Sequence, residues 1–131
     1  MNILNLIRNL IINDEKLKAI VGNRVYFYET TENTDTSDTF VVLTPINTEP
    51  STFVSDMYRS ETFFVQVDVE SYKEETTLIT TNRIRYLLFQ NDLKPSSSQL
   101  DDYFKETKRY VKSRRYLGTP KNQYYKGEHI E

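Results

Sequence analysis

The sequence has no cysteine, only three glycines and a single histidine among its 131 residues. Without cysteine, the chain has no disulfide, no thiolate metal ligand and no cysteine nucleophile. Three scattered glycines do not make a glycine-rich loop of the kind that cradles phosphate. No apolar run approaches the roughly 20 residues that cross a bilayer. We therefore expect a protein that uses no cofactor and has no membrane partner.

Catalytic chemistry has few candidate side chains. The one histidine, His129, lies close to the C-terminus, where chains are commonly disordered. Adjacent acids occur at residues 74–75 and 101–102, and neighbouring side chains point in different directions instead of meeting at one site. Asp68 and Glu70 share a strand face, but the pattern supplies no third metal ligand beside them. We expect no catalytic residue and no metal site, and hence a protein that is not an enzyme.

A chain of this length forms one domain whose hydrophobic core needs no disulfide or metal to support it. Its apolar N-terminus, MNILNLIRNLIINDEK, has neither a basic region nor a small-residue cleavage site, which favours a core helix over a signal peptide. After Gly118 the sequence is polar and carries tyrosines. We expect a soluble protein made in a cytoplasm, with one α+β domain over residues 1–119 and a polar arm over residues 120–131.

Periodicity predicts two helices and two strands in the first part of the chain. Residues 2–12 repeat apolar side chains at helical spacing. Asp14 can cap a short second helix over residues 15–21, which Gly22 ends in a left-handed conformation. Residues 24–28 and 39–46 are β-branched and aromatic, which indicates strands. The apolar positions of the first helix are Ile3, Leu6, Ile7, Leu10 and Ile11.

The clearest strand covers residues 62–70, because apolar and polar side chains alternate there with a period of two. This pattern predicts one face on the core, formed by Phe63, Val65, Val67 and Val69, and one largely solvated face. Residues 51–61 are expected to pair with it as a less regular strand and turn.

A second long helix follows, which Ser71 and Glu74 open as a capping box and which runs to about Gln90. Residues 96–99 are expected to form a linker, and residues 103–107 and 109–117 two further strands. The buried stripe of this helix is predicted at Ile79, Ile84, Leu87 and Leu88, with Tyr86 and Phe89 flanking it. Runs of strands between helices favour an α+β fold, an antiparallel sheet with two main helices packed on one face.

The segment 29–38 has four carboxylates, no base and no apolar residue. Such a composition is typical of an exposed and mobile loop. We predict a flexible docking loop that becomes ordered when the protein binds a partner, and its acids are Glu29, Glu32, Asp35 and Asp38.

Positive charge is concentrated late in the chain. Residues 1–104 carry nine bases and sixteen acids, whereas residues 105–115 carry six bases and one acid. On the predicted final strand, one face carries Tyr110, Lys112, Arg114 and Tyr116, and the other face carries the remaining bases.

This basic strand has three interpretations. Bases beside tyrosines suit nucleic acid, but their division between two faces weakens either face as a platform. A charged edge strand that repels other strands is the second interpretation. The third, which we favour, is an interface with an acidic surface of an identical neighbour or of another protein. This interface is predicted to comprise Tyr110, Lys112, Arg114 and Tyr116 on one side and acids such as Asp68 and Glu70 on the other.

The order of landmarks resembles the tail-completion, or tail-terminator, proteins of long-tailed bacteriophages with siphovirus morphology. An apolar helix leads into DEKLKAIVGNRVYFYE, a polar loop, a strand with VVLTPI, then ETFFVQVDVES before a long helix, and finally YVKSRRYLGT. The resemblance rests on this order and on the phrases LxxIVGxRVY and FxVQVDVES, and it extends to Thr119. The acidic loop and the segment after Gly118 match no phrase of that family.

The resemblance implies a small virion protein that closes into a ring, usually of six copies, on the head-proximal end of the tail tube. Such a ring stops tube growth and offers a surface to the head connector. The implied partners are further copies of the chain, the major tail tube protein and the head connector, with assembly in the host cytoplasm and DNA only passing through the lumen. A head-side joining protein and a small nucleic-acid-binding module are the alternatives.

The predicted strand alternation can be tested with Val67→Asp. This change would bury an unpaired charge, which costs several kcal/mol, and should leave little folded protein. Thermal unfolding measures the effect, and a soluble variant with an unchanged melting temperature would contradict the predicted strand register.

Overall fold

Three helices and five strands form the part of the chain that this computed structural model describes, residues 2–30, 34–46 and 62–120, without the side chains of residues 97 and 98. The predicted strand at residues 51–61 and residues 121–131 of the predicted arm lie outside these ranges; Pro120 is buried. The elements in chain order are α1 (Ile3–Ile12), α2 (Glu15–Val21), β1 (Val25–Phe27), β2 (Phe40–Pro45), β3 (Phe63–Ser71), α3 (Glu74–Gln90), β4 (Leu93–Phe104) and β5 (Arg109–Gly118).

The five strands form one sheet in the order β1-β2-β3-β5-β4. β1 pairs with β2 in parallel, and the other three pairings are antiparallel. α1 packs on β1 and β2, and α3 packs on β3, β4 and β5. The helices cover one side of the sheet, here called the helix face, and the opposite side is called the open face. The prediction of an α+β fold with helices on one face is confirmed. None of the helices in the described residues is long and apolar enough to cross a membrane.

β3 lies in the centre of the sheet, and its alternation determines the core. Val65, Val67 and Val69 are buried on the helix face, while Gln66 and Asp68 lie between them on the open face. Cross-strand neighbours share a face, so the valines also define the buried positions of β2 and β5. The predicted strand register is therefore correct.

The first two helices begin and end as the sequence predicts. The Asn2 side chain accepts hydrogen bonds from the first turn of α1, and Asp14 Oδ2 accepts one from Leu17 N at 3.1 Å to cap α2. Gly22 ends α2 with a φ of 61°, a conformation that favours glycine. Asp14 also binds Arg83 of α3, with 2.7 Å between Oδ1 and Nη2, which ties α2 to α3.

The start of α3 differs from the predicted capping box. Lys73 is the N-cap residue, and no side chain caps the helix. Ser71 instead ends β3, where its buried hydroxyl accepts hydrogen bonds from Thr39 Oγ1 at 3.1 Å and from Lys73 N at 3.3 Å. The serine is unavailable as a cap because β3 extends through it.

The buried stripe of α3 consists mainly of threonines. Its members are Thr77, Thr80, Thr81, Ile84 and Leu88. Ile84 and Leu88 were predicted there, and Leu87 is partly buried, but Ile79 is half exposed. A threonine is short enough to let the helix pack closely on the sheet, so the helix is turned with several large apolar side chains outward.

β4 replaces the predicted linker. It runs for twelve residues and pairs with β5 along its length, with an irregular register between Pro95 and Gln99. The predicted strand at residues 103–107 ends at Phe104, where a turn with positive φ at Lys108 leads into β5. The serines at residues 96–98 look like a linker in sequence. They form the irregular middle of β4, between the residues Pro95 and Gln99 that pair with β5 on either side.

The threonines of α3 give a stability prediction. Thr80 and Thr81 hydroxyls are buried and have no hydrogen-bond partner in the described residues. Valine has the same shape and a similar helix propensity, so Thr80→Val and Thr81→Val should each raise the free energy of unfolding by about 1 kcal/mol. Urea denaturation measures the change.

The matched control is Thr77→Val on the same stripe. The Thr77 hydroxyl donates to Lys73 O at 2.8 Å, so its removal should not stabilise the protein. Equal losses of stability in all three variants would refute the assignment of unsatisfied hydroxyls.

Candidate interaction surface

The basic stretch forms β5, and its cross-strand partners sort its side chains between the two faces. Lys112 and Arg114 lie opposite Val69 and Val67, and therefore on the helix face. Arg109 and Arg115 lie on the open face together with Asp68 and Glu70 of β3. The division of the bases between two faces follows the sequence prediction. Asp68 and Glu70, which are predicted to meet Lys112 and Arg114 of a neighbouring copy, lie on the opposite face of the sheet within each chain, and that contact stays a prediction.

On the helix face, Lys112 and Arg114 both bind Asp101 of β4. Lys112 Nζ lies 3.0 Å from Asp101 Oδ2, and Arg114 Nη1 lies 2.6 Å from Asp101 Oδ1. The Lys112 and Arg114 side chains are only 12% and 18% exposed. The hydrogen bond from Arg114, with help from Lys112, holds the pKa of Asp101 below its ordinary value. These bases hold β4 against β5.

On the open face, Arg109 joins three parts of the chain. Its Nη2 donates to Thr36 O at 2.8 Å, and its Nη1 lies 3.7 Å from Glu70 Oε1. The guanidinium also stacks over the rings of Tyr72 and Phe40, at 5.1 and 5.3 Å from their centroids. Burial raises the pKa of Glu70, and Arg109 partly offsets this effect.

A groove lies further along β5 on the open face. Arg115 Nε donates to Gln66 Oε1 at 2.9 Å, and Gln66 Nε2 donates to Asp68 Oδ1 at 3.1 Å. Ser113 Oγ also donates to Asp68. The groove has a volume of about 330 Å³ and is lined by Gln66, Gln99, Leu100, Ser113 and Arg115.

These contacts change the interpretation of the basic stretch. Three of its six bases, Arg109, Lys112 and Arg114, contact carboxylates of the same chain, and Arg115 donates to the neutral side chain of Gln66. Half of its positive charge is therefore paired within the sheet. This weakens the interpretation of β5 as a DNA platform, which needs bases directed at phosphates. The other two bases, Lys105 and Lys108, are exposed in the turn between β4 and β5.

The two tyrosines of the predicted interface have different positions. Tyr116 is 1% exposed in the hydrophobic core, and burial raises its pKa to about 12. Tyr116 therefore belongs to the core and not to the predicted interface. Tyr110 is partly exposed and stacks on Tyr103 of β4, with 4.6 Å between ring centroids.

The described part of the predicted docking loop makes local contacts. Asp35 Oδ1 accepts hydrogen bonds from Ser37 N and Oγ, and Asp35 O accepts one from Tyr26 of β1 at 2.7 Å. Asp38 Oδ2 lies 3.8 Å from Arg24 Nη2. Glu29 is exposed, and Glu32 lies outside the described residues. The mobility of this loop and its ordering on docking stay predictions.

Two exposed apolar surfaces were missed by the sequence analysis. One is the outer face of α3, formed by Leu78, Ile79, Tyr86 and Phe89; the other lies on the open face, formed by Leu100, Phe104 and Leu117. The sequence of α3 could have revealed the first of these surfaces, because its threonines and its large apolar residues lie on different sides of the helix. Among the described residues, no group of three His, Cys, Asp or Glu side chains could hold a metal ion.

Comparison with known proteins gives a structural match only. No family model matches the sequence, and no curated protein matches it. Among solved structures, the chain is similar to a chain of the virion of a native gene transfer agent particle, with a TM-score of 0.69 and 12% sequence identity. The similarity covers 86% of this chain and 90% of that chain. At this identity, the likeness shows that the two chains share a fold.

The Asp101 ion pairs give a pH-dependent prediction. Asp101→Asn leaves Lys112 and Arg114 without their carboxylate. Because Asp101 is 47% exposed and therefore screened by solvent, the change should lower the free energy of unfolding by up to about 1 kcal/mol at pH 7. The lowered pKa means that the contribution is complete above the ordinary Asp value, about 4, and disappears as the pH falls through the folded-state value. Denaturation at pH 7 and at pH 3 should therefore give a smaller difference at pH 3.

Asp102→Asn is the matched control, because Asp102 is the next residue and an amide can still accept its hydrogen bond from Tyr103 N. The free energy of unfolding of Asp102→Asn should be close to that of the unmodified protein at both pH values. A loss for Asp101→Asn that does not shrink in acid would show that the ion pairs do not stabilise the fold.

Proposed function

We propose that this protein is a structural component of the virion of a tailed phage or phage-like particle. The observation that carries the proposal is the shared fold with a chain of a gene transfer agent virion over nearly the whole of both chains. The resemblance of the sequence landmarks to tail-terminator proteins, which rests on the order of elements and on two sequence phrases, supports the same class.

Within that class, we propose a ring of several copies, six by the family resemblance, on the head-proximal end of the tail tube. The ring ends tube growth and presents a surface to the head connector. Its partners are further copies of the chain, the tube protein and the connector, and its location is the head–tail junction after assembly in the host cytoplasm. This role needs no catalysis, and we propose that the protein is not an enzyme.

The charge distribution supports a protein-contact role over nucleic-acid binding. Lys112 and Arg114 share Asp101, and Arg109 contacts Glu70, so these bases are directed at the protein itself. A ring through which DNA passes also functions best without a grip on the phosphates. A small nucleic-acid-binding module would need many more free bases on one face.

Inactivating the gene in its phage, and supplying the full-length chain from a plasmid, tests the proposal. Without the chain, electron microscopy should reveal tubes of uncontrolled length that carry no heads; with the chain, tubes should regain one length and carry a ring at one end. Sedimentation of the purified protein, alone and with tubes, measures ring formation.

Three other results would contradict the proposed role. Tails of normal length that fail only to join heads would indicate a head-side joining protein. DNA affinity that falls steeply with salt would indicate a nucleic-acid-binding module. Particles assembled normally without the chain would exclude a structural role altogether.

A further inference from the structure

The outer face of α3 is apolar where a solvated helix would be polar. Leu78, Ile79, Tyr86 and Phe89 are 44–58% exposed. At 100° per residue they fall within an arc of about 100°, directed away from the buried threonines. Together they expose on the order of 400 Å². Patches of this size on single chains commonly mark contact sites.

Exposed apolar side chains also lie on the opposite side of the sheet. Leu117, Leu100 and Phe104 are 43–63% exposed on the open face, in a row with about 13 Å between neighbours along the strands. Leu100, in the middle of the row, also lines the groove with Gln66 and Arg115. The sheet separates this patch from α3, so the two cannot cover each other within one molecule. Two unlike patches on opposite sides suit a front-to-back contact, in which each copy uses one patch on each neighbour. Such a contact closes into a ring only when each copy is also rotated relative to the previous one, by about 60° for six copies.

We propose that the outer face of α3 of one copy packs on the open face of the next copy. The proposal rests on the ring proposed above and identifies the two surfaces that build it. Each surface supplies an apolar centre, and a standard interface of about 800 Å² per partner adds a polar rim around it.

Charge complementarity supports this pairing and gives it a direction. The outer side of α3 carries an exposed acid, Glu75, and an exposed base, Arg85, ten residues apart and therefore about 15 Å apart along the helix. The open face carries the base Arg115 and, at the level of Val111, the acid Asp102. Four strand residues separate these levels, which is about 13 Å. The spacings match, so Glu75 can face Arg115 while Arg85 faces Asp102.

Cross-linking tests the proposal directly, because the chain has no cysteine to interfere. Asn82→Cys lies in the middle of the α3 patch, and Leu100→Cys lies in the open-face patch. A short bismaleimide added to assembled protein carrying both changes should give a ladder from dimer up to the full ring. Each single-cysteine protein should stay monomeric on a denaturing gel.

Substitutions measure the energetic role of the patch. Ile79→Ser with Tyr86→Ser changes two half-exposed side chains, so the fold should persist while the concentration needed for assembly rises at least tenfold. Lys16→Ser with Lys18→Ser, on the exposed side of α2, is the matched control and should leave assembly unchanged. Circular dichroism establishes that both proteins remain folded.

Charge exchange independently tests which end of α3 lies against Arg115 of the next copy. Glu75→Lys should weaken assembly, and Arg115→Glu added to it should restore assembly at least partly. Arg115 donates to Gln66 within its own chain, so the folding of the single Arg115→Glu variant is compared with that of the unmodified protein. Rescue would support the contact, and failure of rescue in folded protein would overturn the proposed register.

The outcomes separate this inference from the proposed function. A ring that forms normally but gives no ladder would overturn the interface and leave the ring intact. Dimers from Asn82→Cys alone would indicate that α3 meets α3 across a two-fold axis. A patch variant that forms rings but no longer docks on tubes would assign α3 to the tube protein. Protein that stays monomeric even on tubes would overturn both proposals.

Discussion

The pairing of β3 on both of its edges is the constraint on which the rest of the structure depends. Its valines face the helices, and through the cross-strand register they bring Val41 and Leu43 of β2 and Tyr116 of β5 onto the same side. A shift by one residue would move all of these side chains to solvent at once. The burial of Tyr116, the fixed position of Lys112 and Arg114, and the placement of Gln66 and Asp68 on the open face all follow from this one register.

The basic residues of β5 act mainly as cross-strand and loop contacts. One carboxylate, Asp101, holds two cations and so attaches an edge strand to its neighbour. Arg109 stacks on two aromatic rings and reaches the loop before β2. In the sequence, these bases look available to bind a polyanion. In the structure, Arg109, Lys112 and Arg114 instead help to hold β3, β4 and β5 together. This leaves apolar surface, and not net charge, as the main feature that the domain presents to partners.

The sequence predicted the elements whose pattern reports directly on burial. The alternation in β3 and the apolar spacing in α1 were sufficient, and Gly22 marked the end of α2. The buried side of α3 could not be read in the same way, because its threonines look polar and its Ile79, Tyr86 and Phe89 look buried. β4 was missed because its serines carry little strand signal and lie where the register with β5 is irregular, between Pro95 and Gln99. The partners of Lys112 and Arg114 depend on a hairpin register with an irregularity after Pro95, which no local pattern reveals.

That irregularity in β4 has a consequence for how copies of the chain can associate. Among the described strands β4 lies at an edge of the sheet, and such an edge can template the backbone of another molecule and grow without limit. Pro95 has no N–H to offer, and the break in register before Gln99 bends the strand away from a flat edge. Backbone pairing with another molecule is thereby disfavoured along the first half of β4. Association between copies is then left to side-chain surfaces, whose shape and charge can limit how many copies join.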